Sequence, residues 1–276
     1  MSFAATINNI KIVNFSPFYN DIYLSFCLTL RLQSSIPTNI TTINRTEIQE
    51  HDNSTLYILL NCEHLEKYIK YYINYYFDEI ALKNAVQSPV TKNSLYNWTT
   101  FLKFPLRNGI YVPLGYNDIY FRKNHIMYND IQKDIDILYL GIDNDERIKT
   151  IRDNFYKHGL RLWFVYGNDI NWIISVIKRS RICVNIHHEN TEYLETHMLK
   201  TLLSNCSCIV SESTKDEVQK EFQGNVIFVE YDNIVDTCLN LLKDQNRRII
   251  AENGFKFYYN NKKWHNLVNF QQLLPF

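Results

Sequence analysis

The second half of the chain alternates two kinds of hydrophobic segment. Short continuous apolar runs at 135–140, 160–166, 182–186, 208–210 and 226–230 have the length of strands buried on both faces. Between them lie stretches in which apolar residues recur at three- and four-residue spacing, at 147–158, 170–178 and 214–222. A fourth starts near residue 191 and carries Tyr193, Leu194, Met198, Leu199, Leu202 and Leu203 on one stripe. Gly141 and Gly167 close strands, and Gly159 closes a helix. Strand, polar loop, helix, strand is the unit of a parallel sheet. From 234 to 276 the pattern is helical almost throughout, and its last segment, 260–270, holds Trp264 and Leu267.

The first half reads less regularly. Residues 10–15 form a strand, and Ser16-Pro17 then offers a capping hydroxyl and a first-turn proline to an amphipathic run over 19–32. Residues 36–43 are a strand on β-branching, and 56–60 are a stronger one that ends at Asn61, Cys62 and Glu63. The run 68–77 is apolar or aromatic on nearly every face and predicts a buried helix, with a second short aromatic helix over 93–104. A strand over 110–113 leads into Leu114-Gly115-Tyr116, where the glycine permits a tight turn. Polar residues 117–133 then read as a linker, which divides the chain into domains 1–122 and 123–258. The fold class is α/β, with two Rossmann-like parallel-sheet domains, and a crevice between two such sheets is a favoured place for a ligand.

Composition narrows the partners. The chain has 276 residues with 29 basic and 29 acidic side chains, a net charge of +0, so no broad basic surface for nucleic acid is expected. The six cysteines are scattered, four of them in or beside apolar runs, which suits buried thiols in a reducing, cytoplasmic setting. No stretch has the length of a membrane span. The pattern leaves the oligomeric state open, a dimer included.

The dinucleotide fingerprint, the phosphate loop of ATPases and the nucleophile elbow are all absent. Adjacent His187 and His188 point in different directions off a strand end, and no His-x-x-x-His pairs them on a helix, so no metal is expected. The chemistry favours an anion site. A helix starting near Thr191 would turn free amides toward the strand ends, and Arg147, after Gly141, would approach the same space. A diphosphate held by an arginine and helix-terminal amides is the expected ligand. Glu192 and Glu195, three apart, would share a helix face and accept from hydroxyls of a ribose or sugar.

The run ICVNIHHENTEYLETHMLKTLLSNCSCIVSE resembles the nucleotide-sugar-binding domain of GT-B glycosyltransferases, in particular small members from giant viruses and bacteria. The likeness extends to YLGIDNDERIKTIRDNFYKHG and VYG before it, and to ILLNCEHLEKYI and YVPLGY in the first half, covering about residues 56–265. The resemblance implies a metal-independent sugar transferase, of retaining type, using a UDP-, GDP- or TDP-sugar and a glycan or small-molecule acceptor. In a virus it would act in the host cytoplasm. It implies that Arg147 meets the diphosphate, with Gly141 and Gly167 at the strand ends of the donor pocket. His187, His188, Asn190 and Thr191 would line that pocket, Glu195 and Glu192 would hold hydroxyls, and Tyr116 would close it from the first domain. Arg147, His187 and Glu195 are the residues it places nearest the chemistry. It also implies that the terminal segment 259–276 packs back on the first domain. For a general base on the acceptor hydroxyl the candidates are Asp21, Glu63 and His64. The chain departs from the family in three places: Lys200 stands where a second carboxylate is common, Met198 where an arginine is, and Asn205 where a helix-ending glycine is. A non-catalytic nucleotide-sugar binder or scaffold on the same fold is the alternative.

Overall fold

The computed structural model describes residues 9–14, 39–43, 45–49, 54–60, 62, 72–76, 84, 88–89, 94–99, 108–112, 133–143, 145–167, 169–187 and 193–261. The chain divides into two compact units, Met1–Gly115 with Trp264–Phe276 and Tyr116–Lys263. The expected linker boundary at 122 and most of the terminal segment lie outside the described residues.

The first unit is built on a six-stranded, wholly parallel sheet. Its strands are β1 (Asn9–Asn14), β2 (Asn39–Ile43), β3 (Thr55–Leu60), β4 (Tyr72–Tyr76), β5 (Tyr96–Thr99) and β6 (Gly109–Tyr111), in the order β2-β1-β3-β4-β5-β6. Every residue of β3 is buried, as its unbroken TLYILL run requires of a strand covered on both faces. Val13, Tyr57, Leu59, Cys62 and Tyr72 pack with Ile48 into one apolar cluster.

Two expected helices are strands. The run 68–77 contributes β4, and the segment expected as a helix over 93–104 contributes β5. A continuous aromatic run carries no period that separates a buried helix from a doubly covered strand, and tyrosine and isoleucine suit the strand. All five side chains of β4 are buried, and three of them donate hydrogen bonds across the sheet. The Tyr75 hydroxyl donates to the Val112 carbonyl at 3.0 Å, and that of Tyr76 to the Cys62 carbonyl at 2.9 Å. Asn74 Nδ2 donates to Oδ1 of its register partner Asn97 at 3.1 Å. Tyr75 meets Trp98 edge to face, with ring centroids 6.1 Å apart. Burial, and secondarily the neighbouring Cys62 thiol, pushes the Tyr72 phenol up to about 12, and burial likewise raises Tyr75 well above its ordinary value. Both therefore remain protonated, and Tyr75 keeps its donor to Val112.

The second unit follows the expected alternation. Its elements are β7 (Ile135–Leu140), α1 (Glu146–Lys157), β8 (Leu162–Val165), α2 (Ile170–Arg179), β9 (Ser180–Asn185), α3 (Thr196–Ser204), β10 (Ile209–Glu212) and β11 (Ile227–Val229). Helices α4 (Ile234–Lys243) and α5 (Arg247–Asn261) complete it. The sheet is parallel, in the order β11-β10-β9-β7-β8. The segment expected as an α-helix over 214–222 is a tighter 3-10 turn, Glu217–Phe222, capped by the Asp216 carboxylate on the Val218 N–H at 3.0 Å. No described helix is long and apolar enough to cross a membrane. The five described cysteines, Cys62, Cys183, Cys206, Cys208 and Cys238, are buried.

The helix ends show why the elements stop where they do. Asp145 accepts from the Arg147 N–H at 2.7 Å and starts α1, while Gly159, at φ 73°, lets the chain leave it. At the end of α3 the left-handed residue is Cys206, at φ 54°, and not Asn205. Asn205 is the capping residue itself, at φ −106°, and its side-chain amide donates to the Thr201 carbonyl at 2.8 Å. Cys206 N–H then bonds the Leu203 carbonyl and Ser207 N–H the Leu202 carbonyl, a Schellman closure displaced one residue from expectation. Buried Arg247 donates to the Leu242 and Asp244 carbonyls at 2.8 and 2.6 Å and so closes α4.

Helix α5 runs unbroken across residue 258 and lies close to α3 and the turn before β11 at Gly254. A Cβ there would sit 2.9 Å from the Asn225 carbonyl oxygen and 2.9 Å from a Leu203 methyl. In an open helix Gly→Ala gains about 1 kcal/mol. Here backbone is the obstacle, so Gly254→Ala is expected to reverse that sign and destabilise by about 1–3 kcal/mol. Urea denaturation checks it, and a stabilised variant would show that α5 can shift.

Candidate functional site

In the second sheet the chain passes from β7 outward to β8 and then returns to the other side of β7 for β9. That reversal is a topological switch point, and ligands of such sheets bind at the carboxyl ends beside it. β9 ends there in Asn185, continued by Ile186 and His187, and its neighbour β10 ends in Ser211 and Glu212. The loop after β7 delivers Arg147 in the first turn of α1, and Glu195 sits immediately before α3.

These groups converge. Arg147 Nη2 pairs with Glu212 Oε1, and Nη1 donates to the His187 carbonyl at 2.9 Å. The second oxygen of Glu212 accepts from the His187 backbone N–H at 3.0 Å. The Tyr231 ring stacks on the guanidinium, 4.4 Å to its centroid, and its hydroxyl donates to the Arg147 carbonyl at 2.7 Å. His187 Nδ1 lies 2.5 Å from Glu195 Oε2, and Nε2 lies 3.2 Å from the Glu212 carbonyl. Asn185 Nδ2 donates to Ser211 Oγ at 3.1 Å. Gly141 lets the Tyr139 ring cross the end of β7, since a Cβ would fall 2.5 Å from that ring.

The imidazole contacts define its charge state. Both of its partners, a carboxylate and a backbone carbonyl, only accept, so both ring nitrogens are satisfied together only in the imidazolium. Burial alone would depress this histidine, which is 5% exposed. The hydrogen bond and charge of Glu195, with the charge and carbonyl of Glu212, outweigh it and hold the His187 pKa above the ordinary 6.5. The nearby Tyr139 phenol is pushed up by burial first and then by Glu195 and Asp145.

The expected residues fall into three groups. Arg147, His187 and Glu195 come together. Gly141 ends β7 beside them, and Gly167 ends the edge strand β8, on the far side of β7 from the cluster. Tyr116, His188, Asn190, Thr191 and Glu192 lie outside the described residues, as do Asp21, Glu63 and His64. One expectation is corrected: the helix begins at Thr196 and not near 191, so Glu195 is its capping residue and does not share a helical face with Glu192. The cause lies in three captures. The Asp216 carboxylate accepts from the Leu194 N–H at 3.2 Å, the Glu195 side chain turns back to His187, and the Glu195 carbonyl receives the first helix N–H groups from Met198 and Leu199. Lys200 is fully buried within α3.

Sequence reasoning missed Glu212, Tyr231, Ser211 and Asp216 as members of this cluster. Glu212 carried a signal, being a carboxylate at the end of an apolar strand run just as His187 follows one. Tyr231 carried none, since its partner stands 84 residues away. Among the described residues no group of three or more His, Cys, Asp or Glu is arranged to hold a metal ion.

No family model matches the sequence, and no curated protein matches it. Solved structures do. An alpha-glucosyltransferase in complex with UDP and a DNA 13-mer is 7% identical with a TM-score of 0.62, over 96% of this chain and 98% of that one. The Anabaena protein HepE in complex with UDP is 9% identical with a TM-score of 0.55, over 96% and 98%. An alpha1,3-fucosyltransferase is 10% identical with a TM-score of 0.54, over 96% and 87%. This chain has a GT-B fold.

In this GT-B chain the raised His187 pKa sets a sign for stability. The imidazolium contacts are fully present below the unfolded value of about 6.5 and are lost as pH rises through the higher folded value. Unfolding free energy is expected to fall as pH rises above about 6.5, and His187→Gln to flatten that slope. Urea midpoints across this range check it. Identical slopes in the two proteins would remove the imidazolium from the cluster.

Proposed function

We propose that this chain is a glycosyltransferase that moves a sugar from a nucleotide-diphosphate donor to a hydroxyl of a glycan or small molecule. The observation that carries the reading is the convergence of Arg147, His187 and Glu195 at the strand ends beside the switch point. A fold alone does not name an activity, because one fold hosts many. An arginine 27% exposed, with two of its five N–H donors engaged by protein, is suited to meet phosphate oxygens with the rest. UDP stands in two of the structural neighbours, and thymidine diphosphate in a rhamnosyltransferase of 7% identity and TM-score 0.50, covering 96% of this chain and 100% of that one. UDP-, GDP- and TDP-sugars are therefore the donors to test.

In the proposed step the bond between the sugar's anomeric carbon and the diphosphate oxygen breaks, and a bond from that carbon to the acceptor oxygen forms. The acceptor proton passes to the departing phosphate, which is the retaining course and needs no separate base from the protein. Arg147 stabilises the charge that develops on the diphosphate. His187, with both ring nitrogens held by protein groups, supports Glu195 and does not act as a base. Glu195 accepts from a hydroxyl of the donor. His188, Asn190, Thr191, Glu192 and Tyr116 are proposed to complete the pocket, and the protein to work in the cytoplasm.

One observation favours a second reading. The family's second carboxylate position is taken by Lys200, which is fully buried and so gives a donor no acid group. On this reading the chain binds a nucleotide sugar without transferring it.

A calorimetric screen of UDP-, GDP- and TDP-sugars, followed by assays for donor hydrolysis and transfer to glycan, small glycoside and DNA acceptors, separates the readings. Binding with hydrolysis or transfer is expected, and binding without either would favour the second. Transfer to DNA would overturn the proposed acceptor class. Arg147→Ala is expected to weaken donor binding about 10- to 100-fold, one charge-assisted pair's worth. Unchanged affinity would sink its phosphate role.

A further inference from the structure

The geometry points to Glu212 as the residue that positions Arg147 for the donor's diphosphate, a role that rests on the proposed donor reading. Glu212 is the last residue of β10 and is 9% exposed. One carboxylate oxygen takes Arg147 Nη2, and the other takes the His187 backbone N–H at 3.0 Å. A single side chain thereby ties the start of α1 to the end of β9. With the Tyr231 ring 4.4 Å below the guanidinium and the His187 carbonyl 2.9 Å from Nη1, the plane of Arg147 is fixed from three segments. The remaining donors of Arg147 then point as a rigid set.

Charge and position make opposite demands here, which gives the idea its test. A carboxylate near a phosphate site repels the ligand, so if Glu212 acted by charge alone its neutralisation would tighten binding. If it acts by position, neutralisation loosens the guanidinium, which must be ordered anew at each binding event, and binding weakens. An amide cannot serve both partners, because its NH2 group faces one of two donors. Asp in place of Glu keeps the charge but lacks the reach to join two segments.

Affinities for UDP, GDP and TDP are to be measured by calorimetry at a temperature where each variant is folded by circular dichroism. For the nucleotide that the wild type binds, Glu212→Gln and Glu212→Asp are each expected to weaken binding about tenfold or more. In an Arg147→Lys background, Glu212→Gln is expected to change affinity less than about threefold, since the planar fork it holds is gone. Unchanged or tighter binding in Glu212→Gln overturns the proposal, and so does an equal loss in the Arg147→Lys background. If Glu212→Gln does not fold, Glu212→Asp and its own Arg147→Lys pairing carry the same decision. Failure of the wild type to bind any of the three nucleotides overturns the donor reading itself, and the role of Glu212 with it.

Discussion

Parallel pairing is the constraint on which the rest of the molecule depends. In both sheets every strand enters at one edge and leaves at the opposite one. In sheets of this kind crossover connections cover both faces, which favours apolar strand interiors. In the second unit several polar groups gather at the carboxyl end beside the switch point, where β9 and β10 are neighbours in register, Val210 with Val184 and Ser211 with Asn185. Asn185, His187, Ser211 and Glu212 therefore collect where two strands end, whatever chemistry they later perform.

Collecting ionisable groups at a half-buried edge has a cost that the arrangement must offset. A buried charge without a partner is strongly unfavourable, and a buried pair breaks even only when its remaining donors and acceptors are also met. The cluster lowers that cost by alternation: Glu195, imidazolium His187, Glu212 and Arg147 run carboxylate, cation, carboxylate, cation. Strand β4 of the first unit buries polar groups without charge. The Tyr75 and Tyr76 hydroxyls donate to two carbonyls, and the Asn74 amide donates to the Asn97 side chain. Strand β4 is thus buried with neutral polar groups, whereas the ends of β9 and β10 carry charged ones.

How much of this could be read beforehand depends on whether a segment's pattern has a period. The run 135–140 is short, bounded by Gly141, and followed by a clear helical stripe, so its strand is legible and correct to the residue. The run 68–77 is as apolar, yet without flanking punctuation it fits a helix as well as a strand, and only its pairing with β3 and β5 decides. The start of α3 failed for a related reason. Local spacing carried the helix back toward 191, whereas the Asp216 bond to the Leu194 N–H and the turn of Glu195 toward His187 hold residues 194 and 195 out of it. Neither partner is a sequence neighbour.

The sequence by itself determined the alternation of the second unit, the burial of its strands, and the placing of Arg147 at a helix start and His187 at a strand end. Periodicity and capping are local, and these features follow from residues within a few positions of one another. Only the tertiary structure decided what those residues do to each other. Glu212 reaches Arg147 across 65 positions and Tyr231 across 84, and the charge of His187 is set by acceptors from two different segments. Such contacts depend on strand order and register, and no local pattern encodes a neighbour that the chain reaches only after folding.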